Sequence, residues 1–273
     1  MTTVAFLGPA GTFSEEALRS LPEPDIESLA CTSIADVFAA AADGRAEYGI
    51  VPIENSVEGS VNATLDALAF ESDLQIQREV VLDVHQVLSA APGITMDDIT
   101  AVTSHPQAIG QCRRWLEANL PGRALLASNS TAEAVQQAVA QPGLAAVSTM
   151  LAVELHGGQV LNTDIEDFPG NQTRFVVMGR GIQPRTGHDK TSLALFLHQD
   201  KPGALLMILS EFAYGQINLT KIQSRPTKQA LGEYMFYMDF DGHLADPAVA
   251  LALDCLRLKL RGVKVLGSYP QAH

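Results

Sequence analysis

TVAFLGPAGTFSEEALRSL, residues 3–21, decides the class of fold. Its first five residues, Thr3 and then an unbroken apolar run over 4–7, have the length of a buried strand. Gly8, Pro9 and Gly11 break the run, and residues 12–21 then carry apolar side chains at helical spacing. Strand, glycine turn and helix are the opening of an α/β layer. The succession recurs. Ser33 is placed to cap a second helix over 34–40, residues 48–53 read as a strand, and 61–70 as a helix. Residues 74–81 and 85–88 read as extended segments crossing between two lobes. A second series follows, with strands at 99–103, 124–127, 145–147 and 173–178 and helices at 107–116, 131–139 and 150–155. Two alternating series joined by extended crossovers predict an α/β domain of two lobes around a cleft.

Residues 179–188, GRGIQPRTGH, replace periodicity with Gly, Pro and basic side chains, and mark a domain boundary. Beyond it the order reads β-α-β-β-α-β: strands at 191–198, 217–224, 233–240 and 263–266, helices at 204–214 and 248–260. Residues 200–203, DKPG, form the turn before the first of these helices. This is the ferredoxin-like order, and such a unit, with one sheet edge and face open, tends to pair with a copy of itself. The tail, 268–273, is expected to fray.

Composition narrows the function. With 273 residues, 47% apolar and 18% charged, the chain is a folded globular protein. Its net charge of −13 argues against nucleic-acid and membrane partners. The charge is uneven: the first 187 residues hold nine Arg, no Lys and 23 acidic residues, and the remainder nine basic and eight acidic. All six lysines lie at or after Lys190, so the first part has no Schiff-base lysine, pyridoxal anchor or P-loop lysine. Cys31, Cys112 and Cys255 are too dispersed for a zinc or disulfide framework. No signal-peptide pattern and no membrane-length apolar run occur, so a soluble, cytoplasmic protein is expected.

Four segments carry polar groups suited to chemistry. In GPAGTFS, residues 8–14, the turn directs backbone N–H groups and the hydroxyls of Thr12 and Ser14 towards one point beside Phe13; an ordinary turn capped by Thr12 is the plainer reading. VPIENSVEGSV, residues 51–61, follows a strand at the sheet edge where α/β folds place ligands, and offers Asn55, Ser56 and Ser60 as hydrogen-bonding groups. Glu54 is open between acid-base and dipole roles, and Glu58 reads as a helix-dipole partner. In SHPQA, residues 104–108, His105 is a donor or general acid, or else the segment is a turn fixed by Ser104. Thr173-Arg174-Phe175 heads a strand after the Pro169-Gly170 turn. Arginine grips carboxylates bidentately, which an anionic substrate needs in so acidic a domain. Strand alternation sends Thr173 and Phe175 to one side and Arg174 to the other.

Taken in order, these segments resemble the prephenate dehydratase family, and the resemblance covers nearly the whole chain. It implies a two-lobed, periplasmic-binding-protein-like catalytic domain over 1–182, with a second lobe at about 82–157, followed by an ACT regulatory domain over 190–269. No chorismate mutase segment precedes Thr3, which matches the monofunctional form. The family's essential threonine falls on Thr173. Arg174 and Phe175 then complete the catalytic triplet, and Thr12, Phe13, Ser14, Glu54, Asn55, Ser56, Ser104, His105 and Gln107 are the expected substrate contacts. Donors expected to support the Thr173 hydroxyl are Ser104, His105 and Asn55.

The implied reaction turns prephenate into phenylpyruvate, water and carbon dioxide. Aromatisation drives it, so neither cofactor nor metal is expected. The second part resembles phenylalanine-sensing ACT domains. The family's effector site maps onto Gly203, Ala204, Leu205, Leu206, Asn218, Leu219, Gln223, Ser224, Arg225 and Pro226, with Gln223 where the family carries Glu. L-phenylalanine is the implied effector, and ACT pairing the implied route to a dimer or tetramer. Competing readings are an arogenate dehydratase, a non-catalytic amino-acid sensor, and a solute-binding protein, the last of which would require export.

Overall fold

A computed structural model describes residues 2–199, 201–228 and 233–272. Asp200, in the expected 200–203 turn, lies outside the described residues. The chain begins β1 (Thr2–Leu7), α1 (Phe13–Arg19), β2 (Ile26–Cys31), α2 (Ile34–Ala42), β3 (Tyr48–Asn55), β4 (Gly59–Ser60) and α3 (Asn62–Asp66). It continues with β5 (Gln75–Asp83), β6 (Val87–Ala90), β7 (Ala101–Ser104), α4 (Pro106–Gln111), α5 (Arg113–Asn119), β8 (Ala124–Ala127) and α6 (Thr131–Ala140). Then come β9 (Leu144–Ser148), α7 (Met150–His156), β10 (Gln159–Asn162) and β11 (Gln172–Gly179). The last part is β12 (Asp189–Phe196), α8 (Ala204–Tyr214), β13 (Leu219–Pro226), β14 (Tyr234–Asp241), α9 (Pro247–Lys259) and β15 (Gly262–Pro270). No helix of the described residues is long and apolar enough to cross a membrane.

The chain divides into two compact units, each discontinuous in sequence. The first holds residues 1–64 and 80–175, the second 65–79 and 176–273. In the first unit, β1 lies parallel between β2 and β3, and the head of β11 joins β3 in the order β11-β3-β1-β2. Val4, Ala5, Phe6, Ile50, Val51 and Ile53 bury this sheet against Ala17 and Leu18 of α1 and Val37 and Phe38 of α2. A separate five-stranded sheet, ordered β10-β6-β9-β7-β8, forms the other lobe. Its two faces are covered by two clusters, one built on Val102, Leu116, Val147 and Ile165, the other on Ala132, Val135, Ala146 and Ala152.

In the second unit, β12 to β15 and their two helices form an antiparallel sheet ordered β13-β14-β12-β15, in β-α-β-β-α-β succession. Leu193, Leu195, Ile208, Phe212, Met238, Phe240, Leu253 and Leu256 make its core. Residues 65–79 belong here too: Gly267 of β15 pairs with Ile76 of β5, where any Cβ would sit 2.5 Å from the Ile76 carbonyl oxygen. The expectation of a frayed tail over 268–273 does not hold for the described residues, outside which His273 lies. β15 runs to Pro270, and Tyr269 is fully buried with its hydroxyl 2.7 Å from Ser192 Oγ.

Candidate active site

The turn after β1 is fixed by one glycine. Gly11 has φ +86°, and a Cβ there would lie 2.9 Å from Cα of Ala152 in α7. Its carbonyl accepts from Thr149 Oγ1 at 2.7 Å, tying the turn to the start of α7 in the other lobe. Two expectations for this turn need correction. Thr12 occupies the N-cap position of α1, yet its hydroxyl donates backwards to the carbonyls of Leu7 and Pro9, both at 3.1 Å, and caps nothing. The Gly11 N–H is taken by the Glu15 carboxylate at 2.6 Å, so it does not await an anion.

Asn55, the last residue of β3, organises the next segment. Its Oδ1 accepts from the N–H groups of Val57 and Glu58, each at 2.9 Å. Those bonds place the amide oxygen, and Nδ2 donates to Thr173 Oγ1 at 2.9 Å, to Asn171 Oδ1 at 2.8 Å and, more weakly, to the Gln172 carbonyl at 3.2 Å. A hydroxyl oxygen that accepts this bond keeps its own proton to give. Among the described residues, Thr173 Oγ1 donates to none. β11 lies beside β3, which is why residues 118 apart in sequence meet here.

A cavity of about 310 Å³ opens between the lobes of this unit. Thr12, Phe13, Ser14, Asn55, His105, Gln107, Thr173 and Phe175 all line it, so eight of the expected site residues converge. His105 caps α4 through Nδ1, which accepts from the Gln107 N–H at 3.3 Å and leaves Nε2 as the protonated nitrogen of the neutral ring. The alternative of a turn fixed by Ser104 is not what forms. Ser104 ends β7 fully buried, with Oγ donating to the Val147 carbonyl at 2.7 Å, and reaches neither the cavity nor Thr173.

Three other expected residues also stay outside the cavity lining. Ser56 binds Asn171 and the Gln172 backbone. Arg174 lies on the opposite side of β11 from Thr173, with its guanidinium 4.0 Å from the Glu54 carboxylate. The structure therefore does not bring Arg174 to the cavity for the grip on substrate expected of it: alternation along the strand carries it away as it brings Thr173 and Phe175 in. The residues lining the cavity include no Lys, Arg, Asp or Glu. An anion there would meet hydroxyls, amides and one imidazole.

Sequence reasoning missed Gln86, Gln111, Ser130 and Thr131, which also line the cavity. Gln111 follows Gln107 by four residues, the spacing that stacks two amides on one helix face, and so was readable. Gln86 sits in an extended crossover with no local signal. Asn171 opens the segment that carries Thr173, yet nothing in the sequence gives it a role. One group of described residues, His85, Asp164 and Glu166, brings possible metal ligands together. Nδ1 of His85 is 3.1 Å from Asp164 and 3.0 Å from Glu166, the separations of a histidine hydrogen-bonded to carboxylates, and none of the three lines the cavity.

The residues expected to sense an effector lie in the second unit. Gly203, with φ +85°, starts α8 beside a cavity of about 450 Å³. Ala204 lines that cavity and is buried, Leu205 packs on the core, and Leu206 is exposed. Asn218 Nδ2 donates to Asp241 at 2.7 Å, and Leu219 begins β13. Gln223, Ser224, Arg225 and Pro226 end that strand without lining the cavity, and Arg225 pairs with Asp66 at 2.6 Å.

The family model for prephenate dehydratase matches residues 4–183. A prephenate dehydratase of Mycolicibacterium vanbaalenii is 43% identical, over 99% of this chain and 91% of its own length. The solved structure of the Arthrobacter aurescens prephenate dehydratase in complex with L-Phe superposes with a TM-score of 0.91 at 40% identity, over 98% of this chain and 90% of its own. GqqA, described as a novel type of quorum-quenching acylase, superposes at 0.89 with 31% identity, over 99% and 98% of the two chains. With the family model spanning the unit that holds the cavity, and relatives above 40% identity covering nearly every residue, the chain belongs to the prephenate dehydratase family.

Proposed function

We propose that this chain converts prephenate to phenylpyruvate, water and carbon dioxide for phenylalanine biosynthesis, with Thr173 as the proton donor. The observation that carries the reading is the Thr173 hydroxyl in the cavity, accepting from Asn55 with its own proton unspent. In the reaction the bond from the ring to its carboxylate breaks and carbon dioxide leaves. The freed electron pair enters the ring, and the 4-hydroxyl departs from the far end of the diene. Thr173 donates to that oxygen as charge gathers on it, and the proton is made good from solvent. The Asn55 amide, donating to Oγ1, stabilises the threonine oxygen as its proton shifts. A lining without Lys, Arg, Asp or Glu supports the same reading. A guanidinium on the ring carboxylate would stabilise the reactant and oppose loss of carbon dioxide, whereas amides and hydroxyls orient it more weakly.

The catalytic domain is read as 1–182 and the β-α-β-β-α-β unit, 190–269, as an ACT domain that binds L-phenylalanine and pairs with a copy of itself. The topology supports this, as does the relative solved with L-Phe. Binding there acts on turnover if it favours one pairing of subunits over another. The test incubates the purified chain with prephenate, with arogenate and with an acyl-homoserine lactone, with and without millimolar phenylalanine. Phenylpyruvate from prephenate, suppressed by phenylalanine, is expected. Turnover of arogenate alone would make it an arogenate dehydratase, cleavage of the lactone's amide alone an acylase, and indifference to phenylalanine would remove the sensing role.

A further inference from the structure

We propose that Asn171 is a positioning residue for catalysis, holding the Asn55 amide in the orientation that serves Thr173; the proposal rests on the reading of Thr173 as proton donor. Asn171 is 3% exposed and lies outside the cavity lining, so it acts through its neighbours. Its Oδ1 accepts from Asn55 Nδ2 at 2.8 Å and from Ser56 Oγ at 3.3 Å. Ser56 Oγ in turn accepts from the Gln172 N–H at 2.9 Å, and the Ser56 N–H donates to the Gln172 carbonyl at 2.8 Å. The end of β3 and the head of β11 are thereby closed into one ring of hydrogen bonds. The Asn171 carbonyl also accepts from the Val84 N–H at 2.8 Å, which anchors the residue's backbone.

The consequence concerns the two N–H bonds of Asn55 Nδ2. One goes to Asn171, which directs the other at Thr173 Oγ1. Remove the Asn171 acceptor and the buried amide loses a partner. It then shifts towards the Gln172 carbonyl, to which Nδ2 already donates at 3.2 Å, and weakens its bond to the threonine. The side chain touches no reacting atom, so its loss belongs in kcat and not in substrate binding.

A double-mutant cycle on prephenate separates this role from a merely structural one. Asn171→Ala is expected to lower kcat about 10-fold or more with KM within about threefold, and to cost nothing further in a Thr173→Ala background. Asn171→Asp, which keeps the shape and the acceptor, should restore much of the loss, whereas Asn171→Leu should not. An equal loss with and without the Thr173 hydroxyl, a loss confined to KM, or equal damage from Asp and Leu would overturn the proposal. If Asn171→Ala does not fold, the Asp and Leu pair carries the same comparison. Wild-type protein inert towards prephenate would instead refute the reading of the site, and the positioning role with it.

Discussion

The proton-donor role proposed for Thr173 rests on which bonds its neighbours have already spent. Two backbone N–H groups hold the oxygen of Asn55 and Asn171 takes one N–H of its nitrogen, so the other faces Thr173, and Thr173 must accept. The hydroxyl proton is left for the cavity without any charged group being involved. Gly11 shows the same dependence on a single position. A methyl group at that residue meets Ala152 at 2.9 Å in a backbone conformation that side chains avoid. Gly11→Ala is therefore expected to destabilise the protein by about 2–4 kcal/mol, seen as a lower urea midpoint, and to impair turnover by displacing the turn that carries Thr12 and Phe13. At this scale the sequence was partly legible. Motif order pointed to Thr173 and Asn55, and alternation to the sides of β11 on which Thr173 and Arg174 lie. What it could not show was where the side chains spend their hydrogen bonds. Thr12 bonds backwards, Ser104 faces the core, and Asn171 is silent in sequence because its partners are 115 and 116 residues away.

Among the elements, strong periodicity was readable and compensation by distant groups was not. Ser33 caps α2 through the Asp36 N–H as its place before the helical pattern implied. The helix expected over 107–116 instead breaks at Cys112 into α4 and α5. The cause is remote: the Asp167 carboxylate accepts from the N–H groups of Arg114 and Trp115, at 2.9 and 3.1 Å, and so supplies a second helix start. Asp167→Ala should cost about 1 kcal/mol in a chemical denaturation curve and leave kcat nearly unchanged, since α5 does not line the cavity. The strands β2 and β10 went unread for a simpler reason. Both are edge strands, and IESLAC and QVLN lack the clean apolar alternation that a covered sheet face imposes. The helix expected over 61–70 continues past α3 as a wider π turn at Ala67–Glu71, a local unwinding with no apolar signature.

For the molecule as a whole, the cavity is lined from both lobes of the first unit and so lies on the seam between them. Glu16 sits at that seam. Burial pushes its carboxyl pKa up, the Leu151 N–H and Thr149 oppose the rise, Glu154 adds to it and His85 lowers it. A carboxyl whose folded pKa is raised favours the folded state while protonated, and that contribution fades as pH climbs through the folded pKa. Glu16→Gln should therefore raise Tm at pH 7–8 and lose that advantage towards pH 4; an equal Tm difference at both ends would contradict this. The claim on which most depends is narrower: a single hydroxyl, set by Asn55, gives its proton to the departing oxygen. The most direct measurement is kcat on prephenate for Thr173→Val, which removes the hydroxyl at constant shape, beside Thr173→Ser, which keeps it. The account predicts a loss of about 10²-fold or more for Val in a folded protein and substantial activity for Ser, whereas a folded Thr173→Val enzyme turning over near the wild-type rate would contradict it.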